Sequence, residues 1–221
     1  MYHQAIAERL VLAANSNELR TCALRPSMAF GPGDPQVVPA IHACIAAGQT
    51  PFIIGSGTNL YDFTYISNVA DAHVLAVEKL LSSFDVEFRN GRHVSAGPDD
   101  LSILPAGQTF FISNGEPVPF SAFCLAVWKE FGHVPPSQVR IPQGFAWCAG
   151  LAAELFGRCT GKELGISRGA VKDACGTRYA NLEKARRVLG YRPKVGLEQG
   201  IILACQVRIY DSGSRWCAEW C

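Results

Sequence analysis

Apolar residues in the first quarter of the chain follow a spacing that switches between helical and extended. Around Ile6 and Leu10 the apolar positions recur with helical spacing, which is typical of a helix with one inward face. The apolar run before Arg25 is short and continuous, which favours a strand that leads into a loop. The pattern predicts helix, strand, helix and strand over residues 5–15, 20–24, 37–47 and 51–54.

The middle of the chain predicts a strand over residues 60–66 followed at once by a helix. Asn68 precedes an apolar stripe with helical spacing, and asparagine is a favoured N-cap residue. We therefore expect Asn68 to cap a helix that ends near Leu81. Residues 84–104 have no clear period, so a loop is expected there.

The second half of the chain continues the alternation of strands and helices. Strands are predicted over residues 109–112, 139–141 and 178–180. Helices are predicted over residues 119–131, 141–156, 181–189 and 197–210, and a turn or a short helix over residues 167–174. Such alternation indicates an α/β fold in which part of the sheet is parallel. Residues 212–221 fit no pattern and are expected to form an irregular tail.

Composition excludes two classes of protein. Of the 221 residues, 48% are hydrophobic and 18% are charged, and this charged share lies below the usual ~25%. A chain of this composition buries a core rather than staying disordered. Its 20 Lys and Arg and 19 Asp and Glu leave a net charge of +1. Because there is no long basic run, no nucleic-acid partner is expected.

Cysteines and histidines give no sign of a metal site. The nine cysteines are widely spaced and form no Cys-x-x-Cys pair, which argues against zinc and against a redox dithiol. The five histidines also lack the spacing of metal ligands. The cysteines are therefore expected to be core thiols in a reducing compartment.

Two segments are candidates for ligand binding. Residues 25–34 (RPSMAFGPGD) directly follow a predicted strand, and open α/β sheets bind ligands beside the carboxyl ends of their strands. Residues 59–73 include Asp62 and Tyr65, which either face a cleft or belong to an ordinary strand before a capped helix. The sequence contains no G-x-G-x-x-G loop of the kind that holds a dinucleotide pyrophosphate.

Together these segments resemble the extended short-chain dehydrogenases. The closer resemblance is to the branch of 3β-hydroxysteroid dehydrogenases and sterol-4α-carboxylate 3-dehydrogenases. Further segments resemble the same branch, namely GQTFFISN at 107–114, PVPF at 117–120, VWKEFG at 127–132 and KARRVLGYRP at 184–193. The resemblance covers about residues 4–210.

The resemblance implies an α/β fold that is an incomplete NAD(P)-binding Rossmann-like fold. It would hold the second half of the parallel sheet and the smaller substrate-binding lobe. Residues 1–106 are expected to be the remnant of the Rossmann-like domain with part of the substrate cleft. Residues 107–210 are expected to be mainly the substrate-binding lobe and closing helices, and 211–221 the irregular tail.

The resemblance also implies a reaction, the oxidation of a 3β-hydroxyl to a ketone in steroid or sterol biosynthesis, with NAD or NADP as cofactor. In the family, a Tyr-x-x-x-Lys pair opens the helix that resembles residues 4–9 here. The Lys position is Gln4, and the Tyr position falls just before Met1. No catalytic residue is therefore assigned, and the chain is expected to be truncated and inactive by itself.

Five residues match site positions of the family. Pro26 and Ser27 would bind the cofactor, in a loop whose backbone approaches the nicotinamide. Met28, Tyr61 and Tyr65 would bind the substrate. Tyr61 stands where nucleotide-sugar epimerases usually carry an arginine for a phosphate, which favours a small apolar, sterol-like substrate.

The apolar segment from Ile141 to Phe156 has two interpretations. It is too short to span a bilayer, so it is either a core helix or a helix on the membrane surface. Some members of the resembled family dock on the endoplasmic reticulum through this region. The resemblance thus implies a protein of the cytoplasm or of the cytoplasmic face of that membrane, and it is compatible with a homodimer.

Two alternatives stay open. A dehydrogenase of the same superfamily that acts on a nucleotide sugar or a flavonoid-type ketone would contact its ligand through Arg25 and the region of Arg178. A cofactor-free module that binds lipid or dimerises would bind sterol but no NAD(P)H.

Overall fold

The computed structural model describes residues 2–89, 104–160 and 167–211, and all structural statements below refer to these residues. The helices, labelled in chain order, are α1 Tyr2–Ala13, α2 Val37–Ala46, α3 Ile66–Arg89, α4 Phe120–Glu130, α5 Gln143–Thr160, α6 Arg168–Cys175, α7 Glu183–Leu189 and α8 Leu197–Asp211. The strands are β1 Ala23–Pro26, β2 Ala29–Phe30, β3 Phe52–Ile54, β4 Leu60–Tyr61, β5 Thr64–Tyr65, β6 Thr109–Ile112, β7 Val118–Pro119 and β8 Val139–Ile141.

The chain forms two compact units that interleave in sequence. Unit 1 comprises the described residues of Met1–Ala29, Phe63–Glu116 and Ala180–Leu197. Unit 2 comprises those of Phe30–Asp62, Pro117–Tyr179 and Glu198–Cys221. The predicted boundaries at 106/107 and 210/211 concern a sheet domain and a substrate lobe, and they stay predictions.

Unit 1 is built around the parallel pair of β1 and β6. Ala23 lies opposite Thr109, and Pro26 lies opposite Ile112. The predicted strand 20–24 begins later than expected because Thr21 is held by the end of α1. Its N–H donates to Asn15 Oδ1 at 3.0 Å, and its hydroxyl donates to the Val11 carbonyl at 2.8 Å.

The core of unit 1 lies between this strand pair and two helices. Phe110 and Ile112 of β6 are buried while Phe111 between them is exposed, the period of two expected of a strand with one inward face. The residues buried with them come from α3 and from α7 with its flanking residues, namely Ala72, Ala76, Leu182, Ala185, Val188, Leu189 and Tyr191.

The start of α3 differs from the prediction. The helix begins at Ile66, so Asn68 lies inside its first turn and the predicted N-cap role is wrong. The buried Asn68 side chain instead reaches residues far away in sequence, as described below. The helix also continues to Arg89, so residues 84–89 of the predicted loop are helical. The remainder of that loop and the predicted tail 212–221 lie outside the described residues.

The end of α7 agrees with the sequence pattern, but its start does not. The N-cap residue is Leu182, which has no side-chain cap, and Asn181 lies one residue before it and accepts a hydrogen bond from the Glu183 N–H at 2.8 Å. Gly190 ends the helix with a φ of 73°, a left-handed conformation that glycine adopts without strain.

Unit 2 contains short strand pairs of both senses. β3 and β8 are parallel, whereas β4 and β7 are antiparallel. The predicted strand 60–66 is divided into β4 and β5, because Tyr61 pairs with Val118 while the Thr64 N–H donates to Met28. The predicted strand 178–180 is reduced to one bridge between Arg178 and Tyr61.

Aromatic residues pack the helices of unit 2. The Trp128 indole N–H of α4 donates to the Ile41 carbonyl of α2 at 2.7 Å. The rings of Phe30 and Phe123 meet edge to face with centroids 5.3 Å apart. Before α2, the Asp34 carboxylate accepts from the N–H groups of Gln36, Val37 and Val38, which satisfies the donors at the start of the helix.

Six cysteines are free thiols, namely Cys22, Cys44, Cys124, Cys148, Cys175 and Cys205. Cys124 and Cys205 are buried, as expected of core thiols, but Cys148 is exposed, so the core expectation is wrong for that residue. Burial raises the pKa of the Cys124 thiol to about 12.

Candidate functional site

The loop that follows β1 holds three of the predicted site residues, Pro26, Ser27 and Met28. It begins where β1 and β6 end together, since Pro26 lies opposite Ile112 in the parallel pair. The Ser27 N–H donates to the Ile112 carbonyl at 2.8 Å, which fastens the loop to the neighbouring strand. The side chains of Ser27 and Met28 are half-buried and Pro26 is exposed. This is the edge of a parallel sheet at which α/β proteins bind ligands.

Thr64 joins this loop to the segment that carries Tyr65. The Thr64 N–H donates to the Met28 carbonyl at 3.0 Å. Its hydroxyl donates to the Ile112 carbonyl at 3.2 Å, so that carbonyl accepts from both Ser27 and Thr64. The structure therefore places the Met28 backbone directly beside residues 64–65.

Tyr65 itself is only 6% exposed. Its N–H donates to the Asn114 side-chain oxygen at 3.1 Å. Burial raises the pKa of its phenol, because the charged form is poorly solvated there. Tyr65 is thus a neutral side chain at physiological pH.

Two buried asparagines, Asn68 and Asn114, form a hydrogen bond to each other next to this segment. This pair was not predicted from the sequence. Asn68 Nδ2 donates to Asn114 Oδ1 at 2.8 Å and to the Val195 carbonyl at 2.8 Å. Asn68 Oδ1 accepts from the N–H groups of Lys194 and Val195 at 3.0 and 3.1 Å. The one sequence signal was the predicted cap at Asn68, and it does not reveal that Asn68 meets Asn114.

Tyr61 belongs to unit 2 and lies in its interior. It is 2% exposed, and its ring centroid lies 5.0 Å from that of Phe120. The Arg178 guanidinium lies 5.9 Å from the centre of the Tyr61 ring. The Arg178 N–H also donates to the Leu60 carbonyl at 2.7 Å, so the arginine backbone is anchored beside the ring.

Arg25, a ligand contact in the nucleotide-sugar alternative, is held by Glu8 of α1. Arg25 Nε and Nη2 donate to the two Glu8 carboxylate oxygens at 2.8 and 2.6 Å. The hydrogen bond from Arg25 lowers the pKa of the Glu8 carboxyl. The guanidinium also lies 5.3 Å from the centre of the Phe111 ring, so this arginine already has two partners.

Gln4, which is predicted from the sequence to occupy the lysine position of the resembled family, lies on α1 and is exposed. Its amide carries no charge at any physiological pH. It therefore cannot lower the pKa of a neighbouring phenol as an ammonium group does.

The α5 helix combines a close contact on one side with an apolar surface on the other. At Gly150 the helix lies so close to the start of α6 that a Cβ would be 2.9 Å from the backbone nitrogen of Arg168. The Glu154 carboxylate accepts a hydrogen bond from Arg168 Nε at 2.9 Å. Residues on the outward side share apolar character and exposure, namely Phe145, Trp147, Cys148, Ala149, Ala152, Leu155 and Phe156. Among the described residues, no helix has the length and hydropathy needed to cross a membrane.

Comparisons with known proteins agree with this geometry. Residues 1–143 match the model of the 3-beta hydroxysteroid dehydrogenase/isomerase family. The chain is 43% identical over 200 residues to "Sterol-4-alpha-carboxylate 3-dehydrogenase ERG26, decarboxylating" of Saccharomyces cerevisiae, covering 90% of this chain and 53% of that protein. The chain therefore spans about half the length of this relative.

Two further relatives, from a plant and from a bacterium, carry enzyme names that differ from that of the yeast protein. The chain is 38% identical over 205 residues to "3beta-hydroxysteroid-dehydrogenase/decarboxylase isoform 2" of Arabidopsis thaliana, covering 90% of this chain and 33% of that one. It is 34% identical over 201 residues to "2-alkyl-3-oxoalkanoate reductase" of Stenotrophomonas maltophilia, covering 90% and 54%.

Solved structures resemble the fold. The crystal structure of gox2253 matches with a TM-score of 0.60 and 20% identity, covering 93% of this chain and 54% of that one. A dTDP-glucose 4,6-dehydratase from Bacillus anthracis in complex with NAD matches with a TM-score of 0.53 and 15% identity, covering 94% and 50%. At these identities the likeness establishes the fold alone, and it confirms the predicted α/β class with parallel strands.

Proposed function

The chain belongs to the 3-beta hydroxysteroid dehydrogenase/isomerase family, and on that premise we propose that its protein oxidises the 3β-hydroxyl of a sterol with NAD or NADP. The observation that carries this proposal is the loop 26–28 at the shared carboxyl end of β1 and β6. That loop is the position at which this class of fold binds its ligands. It occurs in a chain 43% identical to a protein named as a sterol-4-alpha-carboxylate 3-dehydrogenase.

The residues present fit one part of the cofactor. Pro26 is exposed and Ser27 is half-buried, so a flat ring has access to the loop backbone that they form. When bound, the oxidised nicotinamide would accept the hydride from C3 of the sterol. In this proposal Pro26 and Ser27 hold that ring, and Met28 and Tyr65 contact the substrate.

The proton of the sterol hydroxyl needs a separate acceptor. A phenol with an ordinary pKa near 10 is a poor base at neutral pH unless a neighbouring cation lowers its pKa. Gln4 supplies no such cation. We therefore expect the 221-residue chain to bind ligand without turning it over.

An apolar substrate is favoured over a nucleotide sugar by the state of two side chains. Arg25 forms an ion pair with Glu8, so a pyrophosphate would have to compete with that carboxylate for the arginine. Tyr61, at the position where nucleotide-sugar epimerases are expected from the sequence to carry an arginine, is a buried ring. Burial of apolar surface, rather than charge, would then provide most of the affinity.

A binding titration tests the proposal. The chain is titrated with a 3β-hydroxysterol bearing a 4α-carboxyl group and, separately, with UDP-glucose, and tryptophan fluorescence is followed. We expect saturable binding of the sterol and none of UDP-glucose. Met28→Glu should abolish sterol binding, because it places a charge against an apolar ligand.

Leu19→Glu is the matched control for that variant. Leu19 is an exposed apolar residue of the same unit, so it acquires the same charge away from the loop. The control should bind sterol like the unmodified chain. Binding of UDP-glucose in place of sterol, or equal loss in both variants, would overturn the proposal.

We also propose that the outward face of α5 rests on the surface of a lipid bilayer. Phe145 is 71% exposed, and Phe156 lies on the same side of the helix three turns later. Glu154, the charged residue between them, is turned towards Arg168. An apolar stripe without charge is unfavourable in water and suits the boundary between headgroups and acyl chains.

Flotation with phosphatidylcholine vesicles tests this second proposal. The chain should float with the vesicles, and the double variant Phe145→Ser, Phe156→Ser should stay at the bottom. Val77→Ser with Leu81→Ser is the control, because these exposed residues of α3 lie in unit 1. Flotation that persists in the α5 variant would remove the helix from the proposal.

A further inference from the structure

Asn114 forms a hydrogen bond to each end of the segment from Phe63 to Tyr65. Its N–H donates to the Phe63 carbonyl at 3.0 Å, and its side-chain oxygen accepts from the Tyr65 N–H at 3.1 Å. Thr64 lies between these two contacts. Because hydrogen bonds depend steeply on distance and angle, two of them fix both position and orientation.

Thr64 connects this segment to the loop after β1 through two hydrogen bonds of its own. Its N–H donates to the Met28 carbonyl at 3.0 Å, and its hydroxyl donates to the Ile112 carbonyl at 3.2 Å. Asn114 therefore contacts Tyr65 directly through one hydrogen bond. It is connected to Met28 through Thr64, whose N–H binds the Met28 carbonyl. Both end points are the residues to which substrate contact is assigned in unit 1.

The Asn114 side chain has two further hydrogen-bond partners, Asn68 and Val195. Its Oδ1 also accepts from Asn68 Nδ2 at 2.8 Å, and its Nδ2 donates to the Val195 carbonyl at 3.0 Å. Asn114 is 4% exposed and Asn68 is 0% exposed, so water does not replace a lost partner. A buried network in which every polar group is paired is rigid.

We propose that Asn114 is a positioning residue, which sets the places of Tyr65 and Met28 for the sterol. The inference rests on the proposed function, since it names what holds the substrate-facing residues of that same site. Asn114 touches no ligand in this account. It acts through the Tyr65 N–H and through Thr64.

Three variants separate positioning from stability. Asn114→Asp keeps an oxygen that accepts from the Tyr65 N–H but loses the N–H that donates to Val195. Asn114→Leu has a similar size and loses both contacts. Tyr191→Phe is the control, because it removes one buried hydrogen bond of the same unit, from the Tyr191 hydroxyl to the Ser113 carbonyl at 3.0 Å, and leaves residues 63–65 untouched.

The readouts are the melting temperature of the chain and its dissociation constant for the 4α-carboxysterol. All three variants should melt at a lower temperature. Asn114→Leu should weaken sterol binding by about tenfold, the equivalent of about 1.4 kcal/mol. Asn114→Asp and Tyr191→Phe should bind within about threefold of the unmodified chain, well under 1.4 kcal/mol.

If Asn114→Leu does not fold, Thr64→Val provides a second test of the same proposal. It preserves the volume of the side chain and removes only the bond from its hydroxyl to Ile112, and it should also weaken sterol binding. If the Asn114→Leu or Thr64→Val chain is folded and binds sterol normally, or if Tyr191→Phe loses binding to the same extent, the positioning role is wrong.

Amide hydrogen exchange distinguishes this failure from failure of the proposed function. The Tyr65 N–H should exchange faster in Asn114→Leu than in Asn114→Asp or Tyr191→Phe, because only the leucine variant removes its acceptor. If the unmodified chain binds no sterol, the proposed function fails. If it binds sterol and the exchange difference is absent, the proposed function stands and the inference about Asn114 fails.

Discussion

The contacts inside unit 1 differ in kind from the contacts inside unit 2. In unit 1, buried amide groups of Asn68 and Asn114 tie together backbone segments that are far apart in sequence. In unit 2, aromatic rings such as Phe30 and Phe123 pack the helices, and further rings remain exposed on α5. Unit 1 thus adds a buried pair of asparagines to its apolar core, whereas unit 2 carries exposed aromatic residues on α5 in addition to the rings of its core.

The difference matters for function because the two kinds of contact constrain geometry differently. A hydrogen bond weakens over a few tenths of an ångström, so a paired network fixes backbone positions tightly. Ring contacts are strong but accept several arrangements. Unit 1 is therefore suited to holding a ligand-facing loop in one geometry, and unit 2 to offering apolar surface.

Loss of an aromatic core residue in unit 2 should have the largest effect on stability. Phe123 is buried against Phe30, and replacing a buried phenylalanine by alanine costs about 3–5 kcal/mol. Urea denaturation of Phe123→Ala should give a loss in that range. Phe145→Ala, at an exposed position, should change the free energy of unfolding by at most about 0.5 kcal/mol. Equal losses in both variants would mean that the packing of unit 2 does not depend on its core rings.

The asparagine network should be the next largest contribution. Asn68→Leu removes four hydrogen bonds and leaves the N–H groups of Lys194 and Val195 without their acceptor. At about 0.5–1 kcal/mol for each of the four lost hydrogen bonds, we expect a loss of about 2–4 kcal/mol in the free energy of unfolding.

Asn59→Leu in unit 2 is the matched comparison for that variant. The Asn59 side chain donates to the carbonyls of Ala174 and Gly176 at 2.8 and 3.1 Å, which is half as many bonds. Its loss should be about half that of Asn68→Leu. A larger loss at Asn59 would reverse the contrast between the two units.

The thiols of unit 2 should differ in reactivity by orders of magnitude. Cys148 is exposed on α5, whereas burial raises the pKa of Cys124 to about 12. Since the thiolate is the reacting form, a maleimide at mildly alkaline pH should label Cys148 at once and Cys124 only after denaturant is added. Mass spectrometry of the labelled peptides measures the order. Early labelling of Cys124 would show that the core of unit 2 opens readily.

The smallest effect is expected at the exposed ion pair of unit 1. The hydrogen bond from Arg25 lowers the pKa of Glu8 in the folded chain below its unfolded value. The pair therefore contributes stability above the unfolded pKa of Glu8, and this contribution is lost as pH falls through the folded pKa. Glu8→Gln should be slightly less stable than the unmodified chain at pH 7 and equally stable in strong acid. A difference that persists in acid would rule out the ion pair as its source.

Local signals predicted much of the fold. The strand at 109–112 and the helix from Val37 follow from the spacing of apolar residues, and Gly190 marks the end of α7. These features depend on neighbours a few residues away. The loop 25–34 could be placed at a sheet edge for the same reason, because it follows a strand.

Long-range partners explain what the sequence did not reveal. Asn68 meets Asn114, 46 residues away, and Val195, 127 residues away. A capping role is the local choice for an asparagine before an apolar stripe, and tertiary contacts overrode it. The burial of Tyr61 depends in the same way on Phe120 and Arg178, which no local pattern connects to it.

The most direct test of the account is to locate a bound sterol on the chain. A 3β-hydroxysterol with a photoreactive group is cross-linked to the 221-residue protein, and the labelled peptides are identified by mass spectrometry. We predict labelling in the peptides that contain Met28 and Tyr65, prevented by excess 4α-carboxysterol and unaffected by UDP-glucose. Labelling that lies elsewhere, or that UDP-glucose prevents, would contradict it.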